Sequence, residues 1–218
     1  MSLERMKNLR DIILDPKLDE DEKLGECQKA IAAMKDEEII SLLTTKYGEK
    51  NRLRDKTLLH IAASNGYEKI LGYFLNLPAM QEINLQAVQD WYGNSCLHVA
   101  KNSNVVKLLL DKGFSATKKN HEGKNPLHKA VQEGDLESCK LLINASSGEA
   151  LYQRDLIGFV PIHSAVAKGH KKIVSLFLEK DIRLASIEDS SHYTPIYYAD
   201  EPRIIQILYP LHNQSKKT

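Results

Sequence analysis

In the stretch Asn125 to Ile143, "NPLHKAVQEGDLESCKLLI", the apolar residues fall on two separate helical stripes. Leu127, Ala130 and Val131 form the first, and Cys139, Leu142 and Ile143 form the second at i, i+3, i+4 spacing. Pro126 stands just inside the first helix, where a missing N–H costs nothing. Gly134 follows its last apolar residue, where the chain needs an unhindered residue to reverse. The pattern predicts two short antiparallel helices joined by a tight turn.

The same pattern recurs along the chain. "TLLHIAASNGYEKILGYFL" begins at Thr57, "SCLHVAKNSNVVKLLL" at Ser95, "VPIHSAVAKGHKKIVSLFL" at Val160 and "TPIYYADEPRIIQIL" at Thr194. The His-equivalent positions are His60, His98, His128, His163 and Tyr197, separated by 38, 30, 35 and 34 residues. Turn sequences such as "DWYGN" around Gly93 and "KNHEGK" around Gly123 precede the next unit. Self-similarity at this period signals stacked units that bury a common core. The residues resemble the ankyrin repeat, a unit of about 33 residues containing T-P-L-H-x-A. The resemblance covers residues 51–212, and implies an all-α solenoid of stacked helix–turn–helix units with hairpin-like turns.

Departures from the family pattern carry their own expectations. Leu58 and Cys96 replace the Pro, and Tyr197 replaces the last His. The second and fifth units lack about three residues, nearly one helical turn, so a clipped inter-helix turn and a local kink are expected there. The link "NLPAMQEINLQAVQ" is too long for the period and predicts a bulged loop or an altered inter-unit angle. Residues 1–50 read as N-terminal helices with a degenerate capping repeat, the repeat lying on the stretch that starts at Leu18, after a separate first helix. Leu3 to Leu14 forms one amphipathic helix ended by Pro16. Asp19 with Glu22 has capping-box spacing, and a further helix starts near Asp36, turns Ile39, Leu42 and Leu43 inward and stops at Gly48. Ile204, Ile205 and Leu208 close the stack before Pro210, and residues 213–218 form a polar tail.

Composition narrows the function classes. Thirty Lys and Arg against 29 Asp and Glu leave a net charge of +1, which gives no electrostatic reason to expect nucleic acid as a partner. Cys27, Cys96 and Cys139 are odd in number and lack a CxxC pair, so a cytoplasmic, reducing compartment is expected. The start, "MSLERMKNLRDIIL", carries charges throughout and does not read as a secretory signal. No apolar run approaches the roughly 18 residues of a membrane span.

The histidines and thiols are the candidate chemistry, and both read as architecture. In ankyrin repeats the T-P-L-H histidine bonds to backbone and to the Thr hydroxyl, holding adjacent turns together. Each histidine also sits on its own unit, and packed helices lie about 8–10 Å apart, whereas zinc ligands converge within about 2 Å of one ion. Cys139 occupies a core position of its helix, and Cys96 with His98 is an i, i+2 pair whose side chains do not face each other. No nucleophile elbow, phosphate loop, dinucleotide fingerprint or H-E-x-x-H motif is present. No catalytic residue, metal or cofactor is expected.

What remains is surface, and the resemblance implies a protein-interaction module without enzymatic activity, monomeric when unbound. Its concave groove and turn tips would bind a partner protein. Trp91, Tyr92 and Asn94 lie in the tip before the second unit, Ile157 and Phe159 before the fourth, and His192 and Tyr193 before the fifth. Aromatic residues dominate binding hot spots, although Trp91 folded back over Leu85 or Val88 is the competing reading, as is Phe159 plugging a gap between tips. Lys129, Gln132, Glu133, Ser164 and Lys168 would face the groove from the first helices, with Lys124 in the preceding tip. Lys118, Lys119 and Lys124 on one face with Lys129 would favour an acidic partner. Two further readings are a secreted bacterial effector acting in a host cytosol, and an enzyme or nucleotide-binding protein with a site in the N-terminal helices.

Overall fold

The computed structural model describes residues 3–32, 34–46 and 56–215, and of the side chains those of 3–8 and 212–215 are left aside. Gly48, the expected stop of the helix from Asp36, lies outside the described residues, and that helix already ends at Thr44. Among the described residues there are eleven α-helices and six short 3₁₀ turns. The chain divides into two compact units, Met1–Phe114 and Ser115–Thr218.

The first unit holds α1 (Leu3–Leu14), α2 (Glu20–Ile31), α3 (Asp36–Thr44), α4 (Leu58–Asn65), α5 (Glu68–Asn76) and α6 (Ser103–Asp111). Asp19 and Glu22 form the reciprocal capping box that their spacing predicts. The degenerate leading pair is shifted by one helix from the sequence expectation. α2 packs along α5 and α1 meets α4, so α1 and α2 stand in the repeat positions, while α3 lies against α4 and the turn at Pro78–Met80. Glu20 explains this register. α5 begins after Tyr67, which supplies no side-chain cap, and the Glu20 carboxylate accepts from the Lys69 and Ile70 N–H groups at 2.7 and 3.4 Å instead. Beside it, buried Lys23 bonds the Tyr67 hydroxyl at 2.7 Å with its ammonium 4.4 Å from the ring centre.

The long link folds as two single 3₁₀ turns, Pro78–Met80 and Leu85–Ala87, which bury Ala79, Met80 and Val88. The three-residue deletion in the second repeat acts differently from expectation. It removes the first helix rather than the turn after it, leaving a 3₁₀ turn at Cys96–Val99, because too few residues remain for a continued i→i−4 ladder. The chain then runs to Lys101, whose N–H donates to Ala63 O at 3.1 Å.

The second unit holds α7 (Pro126–Glu133), α8 (Leu136–Ala145), α9 (Pro161–Ala167), α10 (Lys171–Lys180) and α11 (Pro202–Ser215). α7 packs on α8 and α9, α9 on α10, and α10 on α11. α7 starts at Pro126 with Asn125 as its cap and ends at Gly134 in the left-handed conformation, φ 72°. Leu127, Val131, Cys139, Leu142 and Ile143 are buried as their spacing predicts. The fifth repeat repeats the deletion's effect, with a 3₁₀ turn at Pro195–Tyr198 in place of a first helix. Its second helix does not end before Pro210. α11 carries Pro210 inside it.

Candidate protein-interaction surface

Each turn tip is built on one buried side-chain oxygen. Asp90 Oδ1 accepts from the backbone N–H groups of Tyr92 and Asn94, at 2.8 and 2.9 Å. In the second unit, Asn120 does the same for Glu122 and Lys124, both at 2.9 Å. Asp155 serves Ile157 and Phe159 at 3.1 and 2.9 Å, and Asp189 serves Ser191 and Tyr193 at 2.7 and 3.1 Å. All four are buried. An acceptor that satisfies two N–H donors out of water holds the turn in one shape. The third residue after each takes a left-handed backbone: Gly93, Gly123, Gly158, and in the last tip His192 at φ 64°.

Three histidines each fasten a tip to the repeat before it. His60 Nε2 lies 2.9 Å from Asn94 O, His128 Nε2 3.0 Å from Phe159 O, and His163 Nε2 3.3 Å from Tyr193 O. A carbonyl oxygen only accepts, so Nε2 carries the proton. Nδ1 of His60 and His163 then accepts, from the Thr57 hydroxyl at 2.8 Å and the Val160 N–H at 3.3 Å, while Nδ1 of His128 lies between the Asn125 N–H at 3.3 Å and the Asn125 Oδ1 at 2.7 Å. Burial lowers the pKa of all three, that of His128 to about 4, so these rings are neutral at pH 7.

This frame sorts the candidate residues. In the first unit, Trp91 is 64% exposed and Tyr92 beside it 37%. Asn94 is corrected: it is buried, and its amide donates to Asp90 Oδ2 at 3.0 Å, so it serves the turn. In the second unit, Ile157 is 60% and Tyr193 41% exposed, and His192 is exposed with Nδ1 3.0 Å from Glu188. Phe159 is half-buried, stacked on His163 with ring centres 5.0 Å apart and tilted against Tyr198 at 4.9 Å, which is packing between tips. Lys124 and Lys129 are half-buried and converge on Glu122 at 3.1 and 3.4 Å, while Lys119 Nζ donates to Arg154 O. Their charge is therefore partly answered within the chain. Gln132 and Ser164 are half-buried, and Glu133 and Lys168 are exposed.

Two residues escaped the sequence reading. Leu156, 76% exposed, shares the tip with Ile157. Tyr197, 63% exposed, takes a position that is buried when histidine fills it. The apolar pair "LI" next to a tip glycine was the available signal for the first.

Reactive chemistry finds little to work with. Burial pushes the thiols of Cys27 and Cys139 up to about 12, and that of Cys96 further. Among the described residues no group of His, Cys, Asp or Glu could hold a metal ion, and no helix is long and apolar enough to cross a membrane.

The family model for ankyrin repeats (three copies) matches residues 28–120, 81–155 and 127–217. The chain is an ankyrin-repeat protein. It is similar to the human transient receptor potential cation channel subfamily A member 1, 29% identical over 170 residues that cover 74% of this chain and 15% of the channel. It is similar also to the probable 26S proteasome regulatory subunit p28 of Saccharomyces cerevisiae, 31% identical over 127 residues, 57% of this chain and 54% of that subunit. Human ankyrin repeat and SOCS box protein 3 is 33% identical over 99 residues, 44% of this chain and 18% of that protein. The chain thus spans well under two thirds of each of these relatives. Ankyrin repeats are protein–protein interaction modules and typically non-enzymatic scaffolds. In this ankyrin-repeat protein the tips carry several of the exposed large apolar residues, Trp91, Tyr92, Leu156, Ile157 and Tyr193 among them.

Proposed function

We propose that this chain is a non-enzymatic module that docks a partner protein through its turn tips and the outward side of its first helices. The observation that carries the reading is the tip at Leu156 and Ile157. Two large apolar side chains, 76% and 60% exposed, stand on a turn whose backbone is locked by Asp155. Exposed apolar area of this kind does not stabilise the chain and is suited to a binding hot spot. A turn already held in one shape loses little conformational entropy on binding. Trp91 with Tyr92 is the corresponding feature of the first unit, and Lys129, Gln132, Glu133, Ser164 and Lys168 are the polar residues proposed to flank such contacts.

A reducing, cytoplasmic setting belongs to the same proposal, supported by three cysteines that are free and buried. The relatives named above are eukaryotic proteins, and no observation favours a delivered bacterial effector or an enzymatic site in the N-terminal helices. The test is capture from lysate by the chain and by a Trp91→Ala/Tyr92→Ala variant. The double variant is expected to melt at nearly the parent temperature and to lose the main captured partner. Unchanged capture removes this tip from the docking surface.

A further inference from the structure

The fifth repeat departs from the others at one position. Where His60, His128 and His163 are buried, Tyr197 is 63% exposed. Its ring lies flat on that of Tyr193, with centres 3.8 Å apart and planes within 10°. Tyr198 stands edge-on to both, 6.4 Å from Tyr193 and 5.5 Å from Tyr197. Beneath them the Tyr198 hydroxyl donates to Asp189. Asp189 is buried, and its other donors are the backbone N–H groups of Ser191 and Tyr193. Among the described residues no Lys or Arg side chain bonds it. Burial works against its ionisation, but the hydrogen bonds from Tyr198, Tyr193 and Ser191 outweigh that and hold its carboxyl below the ordinary range.

The surroundings carry the same sign. Residues 184–202 contain Glu188, Asp189, Asp200 and Glu201 and no Lys or Arg. Glu188 and Asp200 are exposed. Arg154 reaches the tip, where its guanidinium keeps its charge while it donates to the carbonyls of Gly158 and Glu188, so it is held on the backbone and not on the rings. An aromatic pair open to solvent, next to a tyrosine that bonds an ionised carboxylate and close in sequence to further acids, offers electron-rich ring faces, and among the described residues no Lys or Arg stands over them.

We propose that the Tyr193–Tyr197 face docks an arginine-bearing basic segment of a partner protein, with one guanidinium stacked on Tyr197 and Glu188 and Asp200 answering the charge around it. Arginine suits this face better than lysine, because its planar and weakly hydrated head matches a flat ring. The inference rests on the interaction reading above and adds the chemistry of the partner.

The test uses the full chain, labelled with nitrogen-15, and the peptide Gly-Arg-Arg-Gly-Arg-Arg-Gly. Amide signals of Ser190 to Tyr198 are expected to shift saturably. The same peptide with citrulline for arginine is expected to bind about tenfold or more weakly, in line with the loss of a cation–π contact and its charge. Tyr197→Ala is expected to lose a similar factor and Tyr197→Phe to retain binding. A Glu188→Lys/Asp200→Lys variant changes exposed positions only, so it keeps the test open if Tyr197→Ala does not fold; it is expected to abolish the shifts. Equal binding of the citrulline peptide, shifts elsewhere, unchanged affinity in the charge-reversed variant, or self-association through this face overturns the proposal. If the peptide fails while tip variants still lose their captured partner, only this inference falls; if both fail, the interaction reading falls with it.

Discussion

The Nε2 of His128 lies 3.0 Å from the carbonyl oxygen of Phe159, 31 residues further along the chain. That one bond fastens a first helix to the tip of the following repeat, and its other ring nitrogen faces the cap of its own helix. Replacing His128 with Ala leaves the buried Asn125 N–H unsatisfied and takes one of two donors from Phe159 O, which keeps the Asp155 N–H at 2.9 Å, a loss of about 1–3 kcal/mol. Urea unfolding is expected to show a loss within that range or above it. A loss under about half a kcal/mol would mean that water reaches these groups.

Acid is expected to loosen the same bonds. The unfolded chain takes up protons on its imidazoles below about pH 6.5, whereas folded His128 resists protonation until about 4. The unfolded state therefore binds more protons in this window, and stability rises with pH. It is complete above neutrality and drains away as pH falls through the window, by up to about 3 kcal/mol from His128 alone. His60 and His163 act in the same direction. Denaturant midpoints measured between pH 7.5 and pH 4 check the slope, and His128→Gln, whose amide keeps the donor without the titration, should flatten it.

Two left-handed glycines should respond unequally to alanine. At Gly158, φ 81°, an added Cβ would stand 2.5 Å from the backbone nitrogen of Ser190 in the next tip. At Gly169, φ 71°, it would meet nothing within 4 Å. Gly169→Ala is expected to cost the backbone strain alone, about 1–2 kcal/mol, and Gly158→Ala clearly more. Thermal melts of the two variants give the comparison; equal losses would show that adjacent tips are not in close contact.

Leu142 is 1% exposed on the inward stripe of α8. Leu142→Ala is expected to destabilise by about 2–5 kcal/mol, measured by denaturant unfolding. A change below half of the lower figure would assign the wrong face to that helix.

Periodicity carried most of the fold, because each repeat is short enough for its capping and core residues to be read locally. Pro126, Gly134 and the stripe of Cys139, Leu142 and Ile143 needed no tertiary information. The misreadings arose where tertiary contacts override local signals. The register of the leading pair depends on Glu20 reaching the start of α5, a contact between residues 49 apart. The deletions in the second and fifth repeats could fall in the turn or in the first helix, and in both the structure has a 3₁₀ turn in place of the helix. For the surface, a tip position reveals that a residue lies on a turn but not whether it points outward. Asn94 and Phe159 turn inward to Asp90 and His163, while Leu156 and Tyr197 turn outward.

Under the proposed function, the tips meet the partner while the second helices only support them. Hydrogen exchange of the chain, alone and bound to a captured partner, reads this directly. Slowed exchange is expected in the tips at residues 90–94, 155–159 or 189–193, with α8 and α10 unchanged. Protection confined to α8 and α10, with the tips exchanging as in the free chain, would contradict it.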